Sequence, residues 1–206
     1  MALIKSISGI RGTIGGAAGD NLTPEDIVSC TAAFGAWLLQ NGNTPKIVIG
    51  RDGRISGQMV SSLVSNTLIG LGIDVVDLGL STTPTVEMAV VWEKAGGGII
   101  LTASHNPMQW NALKLLNSTG EFISAEDGKA FLSLLNGGQI QYAEVEKLGN
   151  YSTTPDYLDK HAEAILQMDL VDVNTIRNKR YKIVVDAVNS TGALAVPHLL
   201  SKLGCE

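Results

Sequence analysis

Short apolar runs separated by helical patterns constrain this chain more than any other feature. Lys46-Ile-Val-Ile49, Ile73-Asp-Val-Val-Asp-Leu78 and Gly98-Ile-Ile-Leu101 each have strand length, and Ala112-Leu-Lys-Leu-Leu116 makes a fourth. A continuous β-branched run suits a strand covered on both faces. The intervening segments carry helix signals. Thr23 precedes Pro24, Glu25 and Asp26: a cap, a residue pre-set for the first turn, and two acids at the positive end of the dipole. Ile27, Phe34, Trp37 and Leu38 then mark one face, ending near Asn41-Gly42. Met59, Leu63 and Leu68 predict a second helix, and Thr83-Pro84 opens a third with Met88 and Val91 expected inward. Ser124 before Glu126 and Asp127 starts another. Strands alternating with helices imply a layered α/β domain with a mostly parallel sheet.

This pattern ends near residue 150. Pro155 to Met168 reads as a connecting helix, and Tyr181-Lys-Ile-Val-Val185 as a fresh buried strand followed by a helix from about Thr191 to Leu203. One strand and one helix do not close a domain. At roughly 150 residues per domain, 206 residues fit one domain and the opening of another. The expected division is 1–152, a linker helix over 153–178, and the start of a second similar α/β domain over 179–206.

Composition narrows the function classes. Fifteen basic against 20 acidic side chains give a charge of −5, which argues against a nucleic-acid partner. Apolar runs such as Gly96-Gly-Gly-Ile-Ile-Leu-Thr-Ala103 are too short to span a membrane, and the first twelve residues lack a signal-peptide core. With two distant cysteines, Cys30 and Cys205, the expectation is a cytoplasmic protein with reduced thiols. Known nucleotide and metal signatures are missing. There is no P-loop. Gly70-Leu-Gly72 precedes a strand instead of opening a helix, Asp172-Val-Asn174 has only two elements of a calcium loop, and no Cys or His pair has zinc spacing.

The informative segment is Thr102-Ala-Ser-His-Asn-Pro107, directly after a buried strand. Ligands of open α/β sheets bind beyond the carboxyl ends of the strands. Ser104 supplies a hydroxyl beside the imidazole of His105, and Lys114 follows ten residues on. Two more loops bring cations: Ser8-Gly-Ile-Arg-Gly12 with Arg11, and Gly50-Arg-Asp-Gly-Arg54 with Arg51 and Arg54. If these loops meet at one rim, three arginines and a lysine surround a serine, a site for an anion and most simply a phosphate. Read without a family, these residues also allow a non-catalytic module that holds a phosphorylated ligand. A serine hydrolase is a weaker reading, since Ser104 lacks the flanking glycines of a nucleophile elbow.

Thr102-Ala-Ser-His-Asn-Pro107 with Asn111-Ala-Leu-Lys114 resembles the phosphoserine loop of the α-D-phosphohexomutases, the family of phosphoglucomutase, phosphomannomutase and phosphoglucosamine mutase. Ser8–Gly12 is similar to its N-terminal loop and Gly50-Arg-Asp-Gly-Arg-Ile-Ser-Gly57 to its G-R-D-x-R-x-S-G segment. Val185-Asp-Ala-Val-Asn189 through Leu203-Gly-Cys205 is similar to the start of its second domain. The resemblance implies a three-layer α/β/α domain with a mixed, mostly parallel sheet. It implies an intramolecular phosphotransferase that moves a phosphoryl group between O1 and O6 of a hexose phosphate through a bisphosphorylated sugar. Ser104 would carry the phosphate and through it ligand Mg²⁺. Lys114 and Arg11 would be acid/base or electrostatic groups, with Lys114 favoured for proton transfer because Arg hardly deprotonates. His105 would position sugar or phosphate. Asn111, Arg51 and Arg54 would belong to the binding site, the two arginines more as supports than as sugar contacts. Two departures stand out. Ala112 replaces a family glycine, and the Asp-x-Asp-x-Asp-Arg metal run and the sugar and phosphate loops of later domains do not occur. The sequence reads as the N-terminal part of such an enzyme, inactive alone, with its sugar and oligomeric state unreadable.

Overall fold

In the computed structural model, which describes residues 3–7, 9–154 and 156–206, the apolar runs pair into one seven-stranded sheet. The strands are β1 (Ile4–Ser6), β2 (Gly9–Thr13), β3 (Lys46–Arg51), β4 (Asp74–Leu80), β5 (Gly97–Leu101), β6 (Trp110–Leu116) and β7 (Tyr151–Thr153). Their spatial order is β1-β2-β6-β5-β3-β4-β7. The sheet is mixed, with a clean division: β5-β3-β4-β7 pair in parallel, whereas β1-β2, β2-β6 and β5-β6 pair antiparallel. Parallel pairings are therefore half of the total. The cause is that the loop after β5 turns the chain straight back as β6, without a crossover helix.

Helices α1 (Pro24–Gln40), α2 (Gly57–Gly70) and α4 (Ala125–Leu135) cover one face, and α3 (Thr83–Trp92) and α5 (Tyr157–Leu166) the other. Strand alternation sorts the core accordingly. Ile47, Ile49, Ile99, Leu101, Leu113 and Leu115 join α1, α2 and α4, while Val48, Ile100 and Leu116 join α3 and α5. The result is the expected three-layer α/β/α arrangement. Two further helices, α6 (Val173–Lys179) and α7 (Gly192–Lys202), follow. No helix among the described residues is long and apolar enough to cross a membrane.

The caps fall where the sequence places them. Thr23 accepts from the Asp26 N–H and Asp26 reaches back to Thr23, a reciprocal capping box, and Ser124 accepts from the Asp127 N–H. Ile27, Phe34, Trp37 and Leu38 are all buried, Phe34 stacking on Trp37 at 5.4 Å. Asp172, set aside as a calcium ligand, instead caps α6 through the Thr175 N–H at 2.9 Å.

Several expectations are corrected. On α2, Val60, Val64 and Leu68 form the buried stripe, while Met59 is exposed. On α3, Val86, Ala89 and Val90 face inward, and Met88 and Val91 lie outside. The small residues win there because Gly98 draws α3 onto β5: a Cβ at Gly98 would stand 2.6 Å from Val90 Cγ2. Tyr181–Val185 is no buried strand. It is exposed throughout, Val184 at 99%, and among the described residues its backbone pairs only with Glu206, which bonds Tyr181 O and Ile183 N at 2.8 and 2.7 Å. An apolar run without neighbouring strands has no ladder to join. The connecting helix expected over Pro155–Met168 is α5, Tyr157–Leu166, with Pro155 outside the described residues, and a second, short helix, α6, follows it.

Helix α5 is fastened to α3 by polar contacts. Thr85 Oγ1 meets His161 Nδ1 at 2.9 Å, Tyr157 donates to Glu93, and Lys160 lies over the Trp92 ring at 4.5 Å. Burial holds His161 below the ordinary imidazole range, so the docked helix prefers a neutral ring. That contribution is complete above the free imidazole value of about 6.5 and declines as pH falls below it. Hydrogen exchange of α5, corrected for intrinsic rates, is expected to show weaker protection at pH 5 than at pH 7.5; equal protection would refute the coupling. Separately, Phe34→Ala is expected to cost about 3–5 kcal/mol in urea unfolding, because the fully buried ring leaves a cavity.

Candidate active site

The site begins where β5 ends. Thr102 N still bonds Ala112 O at 3.2 Å, after which the chain leaves the sheet. Ser104 adopts a left-handed conformation, φ +53, which is uncommon for a residue other than glycine. Its N–H donates to Thr102 Oγ1 at 3.1 Å, and the Thr102 hydroxyl donates to Asp52 at 2.6 Å.

Arg54 fixes this turn with every N–H its guanidinium has. Nε donates to Asp52 Oδ2 at 3.1 Å. Nη1 donates to the carbonyls of Pro107 and Trp110 at 2.9 and 3.0 Å, and Nη2 to those of Ser104 and Asn106 at 2.8 and 2.9 Å. The side chain is only 11% exposed, and Asp52 beside it balances the charge. With all donors engaged, Arg54 supports the loop, in keeping with the expectation that it holds the site together more than it contacts the sugar.

The backbone thus held presents Ser104, His105 and Asn106 to an open cavity of about 660 Å³, shared with Asp52, Gly53, Met108 and residues 188–190. Ser104 and His105 are exposed. Among the described residues, no hydrogen bond joins the Ser104 hydroxyl to the His105 ring, so the pair is not arranged as nucleophile and base.

Arg11 and Lys114 come together elsewhere. β2 lies against β6 with Arg11 opposite Ala112 and Gly9 opposite Lys114. Only glycine fits at position 9: its φ is +127, and a Cβ would stand 1.9 Å from Leu113 O. Lys114 is half-buried, with Nζ 6.0 Å from the Phe122 ring centroid. Arg11 and Lys114 line a second cavity of about 510 Å³ with Ile4, Ser6 and Phe122, and it shares no lining residue with that of Ser104. Near it the Glu87 carboxyl is pushed up by burial and drawn back by the charge of Lys114. Ala112 sits in regular strand pairing, so replacing a glycine there imposes no strain. Ser8 lies outside the described residues.

Arg51 points to a third region. Its Nη2 donates to Gln58 at 3.2 Å, and it lines a cavity with Asp77, Tyr151 and Thr154. The expected single ring of four cations around Ser104 is therefore not formed: Arg54 is under the serine, Arg11 and Lys114 form a pair, and Arg51 stands apart. Asn111 is also corrected as a ligand contact. It is fully buried, its Nδ2 donating to Ser56 at 2.9 Å and its Oδ1 accepting from Ala112 N at 2.8 Å. Sequence reasoning missed Asp52 and Thr102, though Asp52 stands inside the Gly50–Arg54 loop, two residues from the arginine it pairs with.

The residues present do not build a Mg²⁺ site. A hard divalent cation takes about six oxygen ligands. Among the described residues no group of three or more His, Cys, Asp or Glu side chains could hold a metal, and Asp52 uses both oxygens on Arg54 and Thr102.

Comparison with known proteins gives a consistent picture. Residues 3–139 match the family model for phosphoglucomutase/phosphomannomutase, alpha/beta/alpha domain I. A phosphoglucomutase/phosphomannomutase of Thermococcus kodakarensis is 35% identical over 198 residues, 95% of this chain and 43% of that protein. A phosphoglucosamine/phosphogalactosamine mutase of Sulfurisphaera tokodaii is 31% identical over 207 residues, covering this chain fully and 44% of its own length. A Thermus thermophilus structure, provisionally named a phosphomannomutase, superposes with TM-score 0.83 at 28% identity, over all of this chain and 45% of that one. The chain thus spans less than half the length of the curated relatives it matches.

Arg54→Lys keeps the charge but loses the planar fork. Amide exchange across residues 103–107 is expected to accelerate at least about tenfold, the factor that ~1.4 kcal/mol of lost protection gives. Unchanged exchange there would show that the clamp is dispensable.

Proposed function

Since the chain belongs to the phosphoglucomutase/phosphomannomutase family, we propose that it carries the phosphoserine half of a phosphohexomutase site, with residues 1–152 as the serine domain, 153–178 as the connection and 179–206 as the start of a second α/β unit. The observation that carries this reading is the Ser104 turn. Four guanidinium bonds to its carbonyls hold the turn from below with Ser104 in a left-handed conformation, and Ser104 lines an open cavity.

In this reading phospho-Ser104 gives its phosphoryl group to a free hydroxyl of a hexose phosphate. The sugar oxygen bonds to phosphorus as the bond to Ser104 Oγ breaks. The proton leaving the sugar is taken up by a base, and the product is a bisphosphorylated sugar. Transfer of the other phosphoryl group to Ser104 completes the isomerisation. Such transfers depend on positioning and charge neutralisation. Lys114, half-buried and sharing a cavity with Arg11, is proposed to move the proton; Arg11, permanently charged, is proposed to stabilise phosphate. His105 is proposed to position the ligand beside Ser104. Mg²⁺ enters only as an ion that a phosphate on Ser104 would help to hold. A cytoplasmic, metal-dependent enzyme of carbohydrate metabolism is part of the same proposal.

The test is complementation. Residues 1–206 replace the matching stretch of the Thermococcus relative, and the chimera is assayed for interconversion of hexose 1- and 6-phosphates. Turnover is expected with phosphate mapped to Ser104, and Ser104→Ala is expected to abolish it. Lys114→Met is expected to lower it about 10²-fold, the low end for loss of a proton-transfer group. The 206-residue chain alone is expected to show no turnover. An active chimera phosphorylated only at other residues, or one indifferent to Ser104→Ala, would overturn the reading.

A further inference from the structure

The far wall of the Ser104 cavity comes from outside the sheet. Val188, Asn189 and Ser190 line it opposite Ser104, His105 and Asn106. Two consecutive residues of this loop are left-handed, Val188 at φ +43 and Asn189 at φ +55. For a β-branched residue that conformation is strained, so the surroundings must hold it. They do so at both ends. Val188 N donates to Asp186 Oδ1 at 2.9 Å and Ser190 N to Ala187 O at 2.9 Å. The Ser190 hydroxyl then accepts from Gly53 N at 3.2 Å, 137 residues away, on the loop that carries Arg54.

The fit at Gly53 is close. A Cβ there would stand 3.3 Å from both Asn189 O and Ser190 Cα. The 186–190 loop is therefore seated against the Asp52–Arg54 segment, backbone close to backbone, with the Ser190 hydroxyl bonded to Gly53 N. Among the described residues, the side chains of Ser104, His105, Asn106 and Asn189 make no hydrogen bond within the protein, although all line the same cavity. Asn189 thus brings an uncommitted carboxamide, two donors and an acceptor, to a wall facing the serine hydroxyl.

We infer that Asn189 contacts the phosphate carried on Ser104, donating its carboxamide N–H to a phosphate oxygen, and that the Ser190–Gly53 bond seats the loop that delivers it. This rests on Ser104 as a phosphoserine and adds to that reading a recognition element from the segment after α6. An amide suits the position chemically: it donates to the dianion without adding charge, whereas a carboxylate would repel it. The strained turn has a use as well, because it aims the side chain back toward the sheet domain.

The experiment leaves mutase activity aside, so it can fail while the phosphohexomutase reading stands, and the reverse. Phosphoserine is incorporated site-specifically at position 104 of the 206-residue chain, and its second ionisation is followed by ³¹P NMR. An exposed phosphoserine titrates near pH 6. A donor that favours the dianion lowers that value. Asn189→Gly removes the carboxamide while tolerating the left-handed backbone. It is expected to raise the titration midpoint by at least about half a unit, a threefold change in the dissociation constant. Asn189→Asp is expected to raise it further by repulsion. Gly53→Leu, which wedges the loop away with Asn189 intact, is expected to reproduce the Asn189→Gly shift. A midpoint in Asn189→Gly indistinguishable from that of the parent chain would overturn the proposal, as would an unmoved midpoint in Asn189→Asp.

Discussion

One guanidinium organises the loops above this sheet. Arg54 bonds four carbonyl oxygens of the serine turn and one carboxylate oxygen, so two chain segments fifty residues apart behave as one unit. Carbonyls crowded at the end of a strand would otherwise face water in varied directions. A planar, permanently charged fork satisfies them together and fixes their geometry. The left-handed serine depends on this, since its conformation costs on the order of 1–3 kcal/mol unless its surroundings determine it. Asp52 completes the arrangement by balancing the charge and receiving Thr102, so that the end of β5, the Arg54 loop and the serine turn share one network.

The division of labour among cations follows. A cation on a phosphate-binding rim would need free N–H groups, and Arg54 has none. Arg11 and Lys114 reach their cavity from neighbouring antiparallel strands, whose register places them on the same face of the sheet as α3. The antiparallel half of the sheet thus carries the two cations that line a cavity, while the parallel half, through the loop after β3, carries the structural one.

Much of this was legible in the sequence because the signals were local. Thr23, Ser124 and the long β-branched runs act through near neighbours, and their elements form where expected. The phases of α2 and α3 were not legible. Apolar periodicity does not say which apolar residues are excluded; α3 lies close on Gly98 of β5 and turns Val86, Ala89 and Val90 inward, leaving Met88 and Val91 outside. Strands β1 and β7 have three residues each and take their identity from partners already in the sheet. Tyr181–Val185 has strand composition, but composition supplies no neighbour. At the site, the serine turn and the arginine loops were readable as motifs. The distances among the cations were not, because side-chain direction depends on register across β2 and β6.

The two walls of the serine cavity differ in how far apart their contacts lie along the chain. The serine turn and β6 form a local reversal, and the Arg54 contacts span 50–56 residues. The Ser190–Gly53 contact spans 137. Contacts between distant residues close later, because more chain entropy must be lost first. During synthesis from the N-terminus, the turn that presents Ser104 has all its supports once residues 3–139 are available. Its opposite wall waits for residue 190 to emerge. The nascent chain therefore passes through a stage with the serine positioned and its cavity half open.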